Sequence, residues 1–155
     1  MKYFYIKPEV AGGIGPSIVM DRSFHPPNVS KLDFEFETWP HDALIEGFPS
    51  WIVTLPAMEK IEGARLSSVR FKEVKITTSE QFQDIYRNRR LPRFVWMDVK
   101  GRPGRDDFGI NESFKITGSE QPIDARRFTL VISERALAIL RDLGIANATI
   151  YKFDQ

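Results

Sequence analysis

The sequence predicts an α+β protein: a single domain with a mixed or mainly antiparallel sheet, two or three packed helices and two strand-helix-strand units. Three observations carry that expectation. A strand, Ser/Thr, helix, Gly, strand unit occurs twice, at residues 51–71 and 130–153. Residues 29–38 alternate apolar and polar side chains with the period of a half-buried strand. The chain has 155 residues, 42% of them apolar, with 12 Phe, 4 Tyr and 3 Trp, which suits one well-filled core.

The elements follow in chain order. Residues 2–7 (KYFYIK) are aromatic and β-branched on both alternations, as expected of a strand covered on both faces. Residues 10–16 (VAGGIGP) and His25-Pro26-Pro27 read as loop, with a short strand at 17–21 between them. In 29–38, Leu32, Phe34 and Phe36 point one way and Asp33, Glu35 and Glu37 the other, which predicts a solvent face carrying three carboxylates. Residues 42–48 suit a short helix ended by Gly47 and Pro49. Trp51-Ile52-Val53 is an apolar strand; Thr54 is placed to cap a helix with Pro56 in its first turn, a stripe of Ala57, Met58 and Ile61, and Gly63 as a left-handed stop.

Residues 69–76 then read as one strand, and the change of apolar phase from Val69/Phe71 to Val74/Ile76 predicts a bulge near Lys72–Glu73. Thr78-Ser79-Glu80-Gln81 fits a capping box, opening a helix with Phe82, Ile85 and Tyr86 on one face. Residues 93–100 are a strand, 101–107 a polar turn region, and 108–116 divides between loop and short strands. Residues 118–125 read as loop. Residues 128–132 form a strand, Ser133 a cap, 134–143 a helix, Gly144 its stop, and 148–153 a last strand.

Composition narrows the function classes. The chain has no cysteine, which removes disulfide frameworks and thiolate metal sites. Residues 1–6 do not resemble a signal peptide, and no apolar run approaches the roughly 20 residues that span a bilayer, so the expectation is a cytoplasmic protein without membrane contact. A net charge of +1 conceals zoning: residues 1–64 carry 5 Lys/Arg against 9 Asp/Glu, and residues 65–105 carry 11 against 4. Such asymmetry predicts charged surface patches.

Aligned without a gap, residues 51–61 and 130–140 pair Val53 with Ile132, Thr54 with Ser133, Ala57 with Ala136, Met58 with Leu137 and Ile61 with Leu140. Common physical demands or duplication account equally for that agreement. The wording of residues 130–144, LVISERALAILRDLG, goes further and resembles the C-terminal Ser-helix-Gly element of bacterial polymorphic-toxin immunity proteins. The likeness extends to the 51–71 unit and the N-terminal aromatic strand, about half the chain. It implies a non-catalytic α+β domain that binds a cognate protein toxin, acts as a monomer or homodimer, uses no cofactor or metal, and transfers no catalytic residues.

Several groups are candidates for chemistry. Asp33, Glu35 and Glu37, with Asp42 and Glu46 beyond them, would imitate nucleic-acid phosphates in a toxin cleft; the plain alternative is a solvated strand face. Trp39, in Thr-Trp-Pro-His, is either an aromatic anchor for a partner or core filling. Arg87, Arg89, Arg90 and Arg93 would meet phosphates, with Phe94 and Trp96 to stack on bases; as a basic helix end they would simply complement the helix dipole. The glycines of 12–16 lack the Gly-Lys-Ser/Thr ending of a phosphate loop. His25, His41 and Asp42 lack metal-ligand spacing, and Asp106 and Asp107 suit either acid-base work with the histidines or an ordinary polar turn.

Overall fold

The computed structural model describes residues 1–24, 27–47, 49–113 and 127–154. It has the α+β architecture that the sequence predicts, with mostly antiparallel sheets. The chain opens with β1 (Tyr3–Lys7), β2 (Gly12–Ile14), β3 (Val19–Asp21), β4 (Asn28–Lys31), β5 (Asp33–Phe36), β6 (Leu44–Gly47) and β7 (Ser50–Thr54). Then come α1 (Leu55–Gly63), β8 (Val69–Lys72), β9 (Lys75–Thr78), α2 (Glu80–Ile85) and β10 (Phe94–Val99). The order ends with β11 (Phe108–Ser113), β12 (Arg127–Ser133), α3 (Glu134–Leu143) and β13 (Thr149–Phe153).

Two four-stranded antiparallel sheets share one plan. In the first the order is β6-β7-β10-β8; in the second it is β11-β12-β1-β13. Each is a hairpin whose second strand feeds a helix, and the helix crosses over to a strand one place removed, leaving a gap that another strand fills. β10 fills the gap in the first sheet and β1 in the second, antiparallel to both neighbours in each case. The repeat read from the sequence is therefore a repeat of topology that extends one strand further back than its residue pattern. Helices α1 and α3 pack together between the sheets, over Ala57, Ile61, Ala136, Leu137 and Leu140.

The β6-β7-β10-β8 sheet is the middle layer. Trp51, Val53, Met97 and Val99 face the helices and the second sheet, whereas Ile45, Ile52, Phe94 and Trp96 face a second core with Leu32, Phe34, Phe36 and Phe82. Burial on both faces explains why β7 and β10 read as continuous apolar runs. That second core is closed by a three-stranded sheet, β2-β5-β9, in which β5 and β9 run parallel, and by α2; β3 and β4 form a separate ribbon.

Several expectations give way. The helix expected at 42–48 is strand β6, because Leu44 and Ile45 enter opposite cores across the sheet and helical spacing would bury only one of them; Phe48 lies outside the described residues. The expected bulge at Lys72–Glu73 is instead the passage of the chain from one sheet to another: β8 pairs with β10, and β9 with β5. Gly63 ends α1 without a left-handed turn, and Arg65 and Ser68 take positive φ instead; Gly144 does have φ +103°. The glycines of 12–16 are not merely loop, since residues 12–14 form β2, where a side chain on Gly12 would run into the Glu35 carbonyl.

Candidate interaction surface

The acidic face expected on 29–38 is not formed. β5 is covered on both sides, and Asp33 is fully buried. Its Oδ2 accepts the Ser17 N–H at 2.8 Å, while its carbonyl receives the Gly15 N–H at 2.7 Å, so this carboxylate fastens the 15–17 turn. Clean alternation concealed this because a buried aspartate with backbone donors occupies the same position as a solvated one. Glu35 is half-buried beside Gly13 and Thr77, and Glu37 alone of the three is exposed.

Asp42 is likewise structural: it is buried, with its two oxygens taking the Asn147 N–H and side-chain amide at 2.8 and 2.9 Å, which ties the loop before β6 to the end of α3. Glu46 is half-buried opposite Trp51. Glu9, which the sequence pattern did not single out, clamps the next turn by accepting from the His41 and Asp42 N–H groups at 3.0 and 2.7 Å; the exposed His41 ring lies 3.1 Å from it.

Asp106 accepts the Arg102 N–H at 2.6 Å, an ordinary turn bond. Asp107 is buried among Ser67, Ser133 and Arg135. The bidentate Arg135 contact, at 2.8 and 2.6 Å, outweighs the cost of burial and holds this carboxyl far below the usual carboxylate range, helped by the Ser133 hydroxyl and the Ser67 N–H. His41 and Asp107 thus serve separate clusters with no shared partner, and His25 lies outside the described residues. Among the described residues no group of His, Asp and Glu is arranged to hold a metal.

One of the cationic candidates, Arg89, meets Trp39. Ser79 caps α2 by accepting the Phe82 N–H at 3.1 Å, and the Gln83 side chain reaches Thr78. The helix then ends, and the Arg89 N–H bonds the Tyr86 carbonyl at 2.9 Å, turning the chain back over the rings. The Trp39 indole stacks on Phe82 at 6.1 Å and 14°, with Tyr86 tilted beside it at 5.6 Å. The Arg89 guanidinium lies 5.2 Å over Trp39 and 5.9 Å over Tyr86, within cation-π range. Trp39 is half-buried: it packs against the second core, the filling role weighed from sequence, and its outer surface meets Arg89.

Arg87, Arg89, Arg90 and Arg93 are all exposed, and among the described residues none has a carboxylate within ion-pair distance. A groove of about 510 Å³ runs between α2 and the turn after it, lined by Thr78, Phe82, Asp84, Tyr86 and Leu91 beneath Arg87, Arg89 and Arg90. Phe94 and Trp96 do not join them: both are buried in the second core, so they offer no ring face to a base. Phe82 and Tyr86 share a face as the sequence predicts, and the basic run Arg87-Asn88-Arg89-Arg90 was the signal for the cations; the contact of Arg89 with Trp39 had no signal in the spacing. Ile85, expected on the same face, is 60% exposed because α2 stops there.

No family profile, curated protein or solved structure matches the chain. No helix among the described residues is long and apolar enough to cross a membrane.

Proposed function

We propose that this chain is a non-catalytic protein of the immunity type, which neutralises a cognate toxin by binding it through the surface built on Trp39, Tyr86 and Arg89. That stacked trio is the observation that carries the reading. Trp, Tyr and Arg are the residues on which interface energy concentrates. Here they are held in place by one another and by Phe82, so little side-chain freedom remains to be lost on association. Glu37, exposed two residues from Trp39, supplies opposite charge at the rim, where it favours encounter and orientation more than affinity. The buried Asp33 and Asp42 no longer belong to the proposed face.

Co-expression with the C-terminal domain of the protein encoded immediately upstream tests this. The wild-type chain is expected to restore growth. Trp39→Ala with Arg89→Ala is expected to weaken the complex at least about 30-fold, one hot-spot loss of about 2 kcal/mol, since the two side chains are stacked and their losses do not add, and to abolish protection. Growth arrest that the wild-type chain does not relieve, or full protection by the folded double variant, sinks the reading.

A further inference from the structure

Arg87, Arg89 and Arg90 line one groove, and among the described residues none of the three has a carboxylate within ion-pair distance. Their ligand is specified by what the groove offers and what it withholds. It offers forked N–H donors from Arg87, Arg89 and Arg90, aimed at the geometry of a carboxylate or phosphate. Its ring faces are already engaged within the protein, although Trp39 and Tyr86 stay partly exposed. The Trp39 indole is stacked on Phe82 and covered by Arg89, Phe82 is buried, and Tyr86 is packed against both Phe82 and Arg89.

Single-stranded nucleic acid is gripped without sequence preference by bases stacking on exposed rings along a basic track. The rings here are already spent on one another, and the carboxylate of Asp84 interrupts the track on the groove's own wall. A polyphosphate backbone meets Asp84 at any register. A peptide can present acidic side chains to the arginines and a neutral or basic one to Asp84.

We propose that this groove is the docking site for an acidic segment of a protein partner, with partner carboxylates bound by Arg87, Arg89 and Arg90. The identity of that partner as a toxin rests on the reading above; the chemistry of the groove does not.

The probes are a labelled Glu-rich peptide containing one lysine and a labelled oligo-dT of equal net charge, titrated into the intact protein at low and physiological salt. The peptide is expected to bind more tightly, and Arg87→Gln/Arg89→Gln/Arg90→Gln to weaken it at least about tenfold. The triple Arg→Lys variant is expected to recover only part of the loss, since an ammonium keeps the charge without the fork. Wild-type emission is expected to change on binding and that of Trp39→Phe not to, since Trp51 and Trp96 are buried. Melting curves check that each variant is folded.

Oligo-dT binding as tight as the peptide's would make this a nucleic-acid site and overturn the proposal. So would peptide affinity unchanged in the triple Gln variant, or binding of neither probe. Peptide binding as expected, with no protection in the co-expression assay, would remove the toxin reading and leave the groove's chemistry standing.

Discussion

The Asp107 carboxylate accepts five hydrogen bonds, from the Ser67 N–H and hydroxyl, the Ser133 hydroxyl and two nitrogens of Arg135. Ser67 belongs to the loop after α1, whereas Ser133 and Arg135 belong to the start of α3, so one side chain joins the two repeated units. Asp107→Asn is expected to lower stability by about 2–3 kcal/mol at neutral pH, less than for a wholly buried ion pair because the Arg135 side chain is 52% exposed. The carboxyl's native pKa is depressed, so its contribution is complete above the unfolded aspartate value of about 3.9 and is lost as pH falls toward the native value. Urea melts at a series of pH values should show the gap between wild type and variant closing in acid; a gap independent of pH would contradict this. Sequence spacing gave no sign of that role, because the donors to Asp107 lie on two segments far from it in the chain and an Asp in a Gly-rich stretch satisfies turn chemistry equally well. The same difficulty hid Asp33 and Asp42, whereas Arg89 was legible as part of the basic run that follows Tyr86.

At the scale of the element, the two helix starts that look alike in sequence differ in mechanism. Ser133 accepts the Ala136 N–H at 3.2 Å and donates to Asp107; the Thr54 side chain makes no capping bond, and α1 begins at Leu55 with Pro56 in its first turn. Ser133→Ala is therefore expected to cost about 2 kcal/mol and Thr54→Ala less than about 0.5 kcal/mol, measured as midpoint shifts in denaturant. Equal shifts would contradict the assignment. Strands and helices were mostly legible because they rest on periodicity and caps: β1, β10, β12, α1 and α3 fall within a residue or two of their expected limits, whereas α2 stops at Ile85, before the basic run 87–90 expected to end it. Sheet membership was not. The phase change at residues 72–75 is the same signal whether a strand bulges or leaves its sheet, and only the pairing of Phe71 with Met97 and of Ile76 with Phe34 distinguishes them. β6 was misread because four residues buried on both sides carry no period at all.

Across the whole molecule, stability should be graded from the middle layer outward. The amides of β7, β10 and β1, each paired on both sides, are expected to be the slowest to exchange with solvent. Those of the β3–β4 ribbon, a two-stranded sheet with Val19 53% exposed, are expected to exchange first. Native-state hydrogen exchange resolves the order, and a ribbon as protected as β10 would contradict it. The placement of β1 has a further consequence, in how the protein is made. Tyr3 lies opposite Ser133 on one side and Phe153 on the other, so β1 leaves the ribosome long before either neighbour exists. Throughout synthesis YFYIK is an unpaired aromatic segment, open to pairing with other nascent chains. A chain halted before residue 127 is therefore expected to engage holding chaperones and not to act as a weaker version of the finished protein.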